Sequence, residues 1–215
     1  MGLRARTGLG RFSLLLGLVL IGGGGLPLEA QPSPRPPSSP AAPPDTVNDP
    51  RPAYDLRSLE RAIHRHVNAV RARYKRSPVT WADSLHTLAR AHSRDMANRD
   101  FFAHTNPSGE DVQARARRQG RTCRRSLEDG AHRIGFAENL YRGTLYNRIE
   151  TVRRGDTVVE RIIDWKTETD LARRVVQGWL KSPGHRRNLL SPTVALESIG
   201  VALTPRNLFA TQVLC

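Results

Sequence analysis

The sequence predicts an α+β domain or a three-layer sandwich, in either case with an antiparallel sheet. The prediction rests on two observations: apolar residues at helical spacing early in the folded region, and strand-like segments later on, interrupted by one more helical stretch. Helices and strands therefore fall in separate runs, and not in the strict alternation that builds a parallel sheet. This order favours antiparallel strands.

Two amphipathic helices come first. Apolar residues recur three and four positions apart over residues 56–74, with Asp55 near the start. Ser77-Pro78 ends this helix, because the residue before a proline disfavours the helical conformation. The same spacing predicts a second helix over residues 81–96, with Asp83 in its first turn.

A short third helix and a hairpin are predicted next. The helix covers residues 110–119, after Gly109, and is ended by Gly120. Residues 157–165 have the composition of a strand, and residues 145–152 are its predicted hairpin partner.

The C-terminal part is predicted as two helices and two strands. Thr169 is the expected N-cap of a helix over residues 170–180, and a short helix follows over residues 183–190. The final strands are expected at residues 198–203 and 208–214.

Residues 1–30 have the pattern of a secretory signal peptide. Three arginines precede an apolar run at residues 12–21, and Ala30 offers a small residue for cleavage. The run is about half of the ~20 residues that span a bilayer, so no transmembrane span is expected after signal removal. An uncleaved membrane anchor is the alternative.

A proline-rich linker is predicted over residues 31–52. Nine prolines lie in this segment, and proline fixes φ and supplies no backbone donor, so an extended, unpacked chain is expected. The remaining residues, 53–215, are predicted to form one domain.

The chain is strongly basic, with 34 Lys+Arg against 20 Asp+Glu and a net charge of +14. Six arginines lie within residues 115–125. Such a patch can hold acidic polymers, phospholipid headgroups or wall phosphate, while a solvated helix face is the structural alternative. The sequence has no nucleic-acid-binding motif, so no specific nucleic-acid partner is expected.

Three residues are candidates for chemistry: His104, Glu138 and His185. Imidazole and carboxylate groups can share a divalent metal, and a nearby glutamate can act as a general base. Spacing alone does not connect the three, and a purely structural role is the alternative for each. His92 lies on the apolar face of its helix and is expected to be a packed, hydrogen-bonded core residue.

Five motifs occur in order along the chain: Phe102-Ala-His-Thr-Asn-Pro-Ser-Gly109, Ala137-Glu-Asn-Leu140, Trp179-Leu-Lys-Ser-Pro-Gly-His-Arg-Arg-Asn-Leu-Leu190, Ile199-Gly-Val-Ala202 and Thr211-Gln212. This series resembles the CAP superfamily of cysteine-rich secretory, antigen 5 and pathogenesis-related proteins, whose domain is also called the SCP domain. The resemblance covers about Leu56 to Cys215 and is greatest to the bacterial secreted branch.

The resemblance implies a three-layer α-β-α sandwich with a central antiparallel sheet and an open cleft. In the family, two His and two Glu line this cleft and can hold a divalent metal, often zinc. His104, Glu138 and His185 match three of these four positions, whereas Ser182 stands at the fourth, which is Glu in the animal and plant branches. Asn139 and Ser182 are expected to orient the site through hydrogen bonds, with a structural role as the alternative.

An incomplete ligand set is expected to weaken metal binding. His104 and His185 would then be the metal ligands, with zinc or another divalent metal, and Glu138 the general base. Glu168 and Glu197 are acidic residues nearby in sequence, and neither is assigned to the fourth position.

Cys123 and Cys215 are predicted to form a disulfide. An exported protein meets an oxidising environment, in which two cysteines pair. Closing a loop of about 90 residues is worth roughly 4 kcal/mol by loop-closure entropy. A reactive cysteine nucleophile is the alternative.

These observations predict a secreted, periplasmic or cell-envelope protein that acts as a monomer. Its cleft is expected to bind a lipid or a cell-envelope component, with or without a divalent metal. A metal-assisted hydrolase is the alternative function.

Overall fold

The computed structural model describes residues 51–127 and 130–215, apart from the side chain of Ser126. The predicted signal peptide and nearly all of the linker lie outside these residues, so their boundaries stay predictions. Among the described residues, none of the helices combines the length and the apolar composition of a membrane span.

The described residues form five helices: α1 (Leu56–Arg73), α2 (Asp83–Asn98), α3 (Val112–Arg118), α4 (Glu168–Lys181) and α5 (Pro183–Leu189). They also form eight strands: β1 (Thr80–Trp81), β2 (Arg124–Ser126), β3 (His132–Ile134), β4 (Ala137–Thr144), β5 (Tyr146–Arg154), β6 (Thr157–Trp165), β7 (Leu196–Leu203) and β8 (Asn207–Leu214).

The central sheet has four strands in the order β1-β7-β8-β4. β8 pairs antiparallel with β7 on one side and with β4 on the other. Only the two-residue strand β1 runs parallel to its neighbour, β7. The pairs β2–β3 and β5–β6 form separate antiparallel hairpins.

Helices cover both faces of this sheet, as the predicted α-β-α sandwich requires. On one face, Ile199 and Val201 of β7 pack with α1 and α4 in a core that includes the fully buried Trp179. On the other face, α2 lies against the sheet, and the Ser93 hydroxyl donates to the carbonyl oxygen of Gly200 at 2.8 Å. The predicted fold class is confirmed.

Gly200 permits the close approach of α2 to the sheet. A Cβ at this position would lie 2.1 Å from the backbone nitrogen of Arg90 and 2.3 Å from the carbonyl carbon of Ala89. No side chain fits there without moving the helix, which explains a glycine inside a buried strand.

Several element boundaries differ from the prediction. Trp81 belongs to β1, and α2 begins at Asp83, because residues 80 and 81 pair with β7. Thr167, and not Thr169, caps α4 by accepting a hydrogen bond from the backbone of Asp170. Helix α3 begins at Val112 and not at residue 110, since the Asp111 side chain caps it.

The predicted hairpin is confirmed, but four other strands, β1 to β4, were not predicted. β5 and β6 pair antiparallel with Arg154 opposite Thr157, so β5 extends two residues beyond the predicted end at residue 152. β2, β3 and β4 carry no clear strand pattern in the sequence. Of these, β4 matters most, because it carries two of the predicted site residues.

A disulfide joins Cys123 to Cys215, as predicted, with their Cα atoms 5.6 Å apart. It ties the segment after α3 to the end of β8. Cys123 is buried beside Phe136 and Val213, so the bridge is part of the core under α2.

Candidate functional site

Strand β4 places Glu138 and Asn139 on opposite faces of the sheet. Successive side chains of a strand alternate between its faces. Glu138 therefore points toward α2 and α3, while Asn139 points toward α4 and α5. Both side chains are buried and both are hydrogen bonded.

The Glu138 carboxylate is paired on both oxygens. Its Oε1 lies 2.9 Å from Nδ1 of His104, and its Oε2 accepts from Nη2 of Arg115 at 2.5 Å. Glu138 and Arg115 expose only 2% and 4% of their side chains, respectively. A buried charge of this kind needs a partner of opposite sign, and Arg115 supplies it.

Arg115 also fixes the loop that carries His104. Its Nη1 donates to the carbonyl oxygens of His104 and Glu110, both at 2.8 Å. One guanidinium therefore holds the carboxylate and the backbone of the neighbouring histidine. Sequence reasoning placed Arg115 in a basic surface patch and missed this role.

The ring of His104 faces that of His185, with the ring centroids 5.8 Å apart. The side chain of His104 is 53% exposed, so it forms the accessible part of the site. Since the Glu138 carboxylate accepts at Nδ1, neutral His104 keeps its lone pair on Nε2. Burial lowers the pKa of His185 below its ordinary value, and His104 lowers it further, while Glu138 opposes this shift.

Asn139 holds α5 against the sheet. Its Nδ2 donates to the carbonyl oxygen of His185 at 3.0 Å and to Oε1 of Gln212 at 2.7 Å. Asn188 of α5 donates in return to Oδ1 of Asn139 at 3.0 Å and to the carbonyl oxygen of Glu138 at 3.2 Å. These amides set the position of His185 relative to Glu138.

An open cavity of about 430 Å³ lies beside this cluster, lined in part by His104, Glu138 and Asn188. It is also lined by two arginines, Arg125 and Arg133. Arg125 is 8% exposed, and its Nε is buried without a hydrogen-bond partner among the described residues. Burial, with the nearby charge of Arg133, lowers its pKa below the ordinary value.

Ser182 lies at the junction between α4 and α5. Its backbone nitrogen donates to the carbonyl oxygen of Trp179 at 3.3 Å, and its own carbonyl oxygen accepts from Arg186 at 2.8 Å. Within residues 51–127 and 130–215, no contact joins its hydroxyl to His104 or Glu138. Ser182 thus lies at a helix junction, and its expected role in the cleft stays a prediction.

Neither of the two unassigned glutamates reaches Glu138. Glu197 lies on the opposite face of the sheet, where its carboxylate is 2.5 Å from Nδ1 of His64 and accepts from Nε2 of Gln212 at 2.5 Å. Glu168 accepts from the backbone nitrogen of Asp55 at the start of α1. Neither glutamate therefore supplies the fourth acidic position of the cleft, where the sequence has Ser182.

The donor set does not fit a catalytic zinc, which takes three protein ligands. Among the described residues, no group of three or more His, Cys, Asp or Glu is arranged to hold a metal ion. With both oxygens of Glu138 paired, the cleft offers one ring nitrogen each from His104 and His185. Zinc binding stays a prediction, and the geometry favours a weak affinity.

His92 lies in the core, away from this cluster of polar groups. It is 1% exposed, packs against Phe101, and its Nε2 lies 3.1 Å from the carbonyl oxygen of Ala103. Burial lowers its pKa below the ordinary value. These contacts agree with the packed histidine that the sequence predicted.

The structure resembles solved bacterial proteins. An outer surface protein from Borrelia burgdorferi shares 15% identity with a TM-score of 0.51, covering 75% of this chain and 95% of that chain. An extracellular SCP-domain protein from Bacillus anthracis shares 21% identity with a TM-score of 0.49, covering 74% of this chain and 40% of that one. A cysteine-rich secretory protein from Staphylococcus aureus shares 14% identity with a TM-score of 0.45, covering 77% of this chain and 41% of that one.

This chain thus spans less than half of the Bacillus and Staphylococcus proteins. No curated protein matches it. Residues 64–213, however, match the family described as CAP, the cysteine-rich secretory protein family. This match covers well over half of the 215 residues, and the fold agrees with it. The chain belongs to the cysteine-rich secretory protein (CAP) family.

Proposed function

We propose that this chain is an exported CAP domain that binds an acidic cell-envelope ligand in the cleft beside His104. The observation that carries the proposal is the cavity of about 430 Å³ with Arg125 and Arg133 in its lining. Its size falls within the range of about 300–1,000 Å³ that is typical of ligand pockets.

The charges of this cavity favour an anion. Two carboxylates, Asp111 and Glu138, also line the cavity. Arg115 neutralises Glu138, and Asp111 is hydrogen bonded to the backbone of Ala114, so the two arginines leave an excess of positive charge. Arg125 and Arg133 have no acidic partner among the described residues. A buried guanidinium without a partner is costly, and a carboxylate or phosphate of the ligand would satisfy it with charge-assisted hydrogen bonds.

The same geometry favours binding over catalysis. The Glu138 side chain is only 2% exposed and both of its oxygens already accept hydrogen bonds, so few of its lone pairs are accessible to a water molecule. A hydrolase built on Glu138 as base and on metal held by His104 and His185 therefore has less support. It requires metal-dependent turnover that is lost in Glu138→Gln with the fold intact.

Two observations support an extracellular or cell-envelope location. The Cys123–Cys215 disulfide suits an oxidising compartment, and the Borrelia neighbour is described as an outer surface protein. The predicted signal peptide would provide the export. We expect the protein to act as a monomer.

Calorimetric titration with N-acetylmuramic acid, an acidic wall sugar, tests the proposal. Binding should be saturable, and Arg133→Gln should weaken it by about tenfold, since a hydrogen bond to a charged group contributes roughly 1.5–3 kcal/mol. Arg121→Gln changes the net charge equally at an exposed position outside the cavity lining and is the matched control. Equal losses of affinity in both variants would contradict the proposal, because they would show that only the net charge of the protein matters.

A further inference from the structure

We propose a second binding site, specific for the phosphate headgroup of an anionic lipid, in a basic groove at the end of α5. This groove has a volume of about 510 Å³. Four cationic side chains line it, together with apolar ones from the same segments. The cations are Arg76, Lys181, Arg186 and Arg187.

The fold holds the groove open through a buried arginine. Arg71 of α1 is 1% exposed, and its Nη1 donates to the carbonyl oxygens of Leu189 at 2.7 Å and Ser191 at 3.1 Å. Its Nε donates to the carbonyl oxygen of Ser77 at 2.8 Å. Arg71 therefore ties the ends of α1 and α5 together, so the walls are in place before a ligand arrives.

The charge of the groove is not compensated. No Asp or Glu lines it. The side chains of Arg76, Lys181 and Arg187 have no ion pair or hydrogen bond within residues 51–127 and 130–215. Three guanidinium groups and one ammonium group around one depression create a positive potential that attracts a phosphate anion, and the planar fork of arginine matches phosphate oxygens.

Arg186 is positioned by an aromatic ring. Its guanidinium carbon lies 5.2 Å from the ring centroid of Tyr74, and its Nη2 lies 3.4 Å from the Tyr74 hydroxyl. Tyr74 is 45% exposed. The cation–π contact limits the freedom of Arg186 while leaving its other donors available.

The apolar part of the lining favours a lipid over a free phosphate. Leu180 and Leu190 are partly exposed there, and Pro183 and Pro192 are exposed. Apolar surface next to clustered cations matches a phosphate ester that carries acyl chains. A small hydrophilic anion would leave this surface in contact with water.

The groove is separate from the cleft, although α5 contributes to both. His185 and Asn188, three positions apart, belong to the cleft cluster. Residues 183, 186, 187 and 190 have the spacing of another face of the helical segment and line the groove. No residue lines both cavities, so this inference does not rest on the proposed function.

The test is calorimetric titration of the full chain with dihexanoyl phosphatidylglycerol, a lipid soluble enough to bind as a monomer. Dihexanoyl phosphatidylcholine and glycerol 3-phosphate are titrated in parallel. The groove variant is Arg186→Gln with Arg187→Gln. The control is Arg153→Gln with Arg154→Gln, which removes the same charge from the exposed end of β5.

Saturable binding of phosphatidylglycerol, weakened about tenfold or more in the groove variant only, is the expected result. Binding of phosphatidylcholine should be at least about tenfold weaker, because its headgroup has no net charge. Equal losses of affinity in both variants would overturn the proposal, because the effect would then come from the overall charge of the protein. Glycerol 3-phosphate binding as tightly as the lipid would overturn it too, since the apolar lining would then contribute nothing.

Discussion

Arg115 donates to Oε2 of Glu138 at 2.5 Å, and the two side chains form an ion pair that is almost fully buried. The pair joins α3 to β4 and brings the loop of His104 to the carboxylate. The charge of this cleft is therefore organised by an arginine from a segment whose composition alone indicated a basic surface. Three features follow from this pair: a neutralised Glu138, a positioned His104, and a cavity whose remaining charge is positive.

Removing Arg115 should destabilise the fold strongly. Arg115→Met leaves the Glu138 charge buried without its cation, and breaking a buried pair in this way costs about 3–5 kcal/mol. The free energy of unfolding, measured by denaturant titration, checks this. Arg118→Met on the same helix breaks an exposed pair with Glu110 and should change the free energy of unfolding far less. Similar costs for the two variants would mean that the Arg115–Glu138 pair is not a structural element.

Enlarging Gly200 should displace α2. Gly200→Ala puts a Cβ within 2.1 Å of the Arg90 backbone, and we expect a loss of about 1–3 kcal/mol from overpacking. Gly184→Ala is the matched control, because a Cβ there has no atom within 4 Å. Thermal unfolding should show a lower Tm for Gly200→Ala than for Gly184→Ala. An unchanged Tm for Gly200→Ala would contradict the close approach of α2 to the sheet.

The disulfide should contribute substantially to stability. The bridge spans a sequence separation of 92 residues, and loop-closure entropy assigns roughly 4 kcal/mol to a loop of this size. Denaturant titration with and without a reductant measures the difference. In the double variant Cys123→Ala with Cys215→Ala, the reductant should not change the free energy of unfolding. A change in that variant would show that the reductant acts on something other than the disulfide.

Stability should fall as the pH drops below about 6.5, the ordinary pKa of histidine. The folded protein lowers the pKa of His92 and of His185, so the unfolded chain binds protons first. The free energy of unfolding therefore decreases from about pH 6.5 down to the lower pKa values of the folded state.

Unfolding of the His92→Gln variant at about pH 7 and about pH 5 checks this sign. The loss on acidification should be smaller in the variant than in the wild-type protein, because one buried group no longer titrates. His132→Gln, at an exposed position, should retain the full loss. A larger loss of stability on acidification in His92→Gln than in the wild-type protein would contradict the lowered pKa of His92.

The layers of the fold could be predicted because amphipathic helices and the final strands show their periodicity locally. Strand β4 could not, since it buries Glu138 and Asn139 on opposite faces and so has no alternation of polar and apolar residues. Trp81 was assigned to a helix because its strand is two residues long and exists only through pairing with β7. In each case the missing information is a contact with a residue distant in sequence.

The candidate site shows the same limit. The motifs that resemble the family identified His104, Glu138 and His185, and the geometry brings them together. Arg115, Arg125 and Asn188 were not predicted as site residues, because nothing in the composition separates an inward arginine or asparagine from a solvated one. Ser182 is expected in the cleft from its motif position; its backbone hydrogen bonds are those of a helix junction, and its role in the cleft stays a prediction.

The central claim is that the cavity beside His104 receives an acidic ligand. The most direct measurement is an NMR titration of the ring signals of His104 and His185 with N-acetylmuramic acid, in the wild-type protein and in Arg133→Gln. The account predicts saturable shifts of the His104 signals in the wild-type protein that are weakened in the variant, with the signals of the core residue His92 unchanged. Histidine signals in the cleft that stay fixed, or that move equally in the variant, would contradict it.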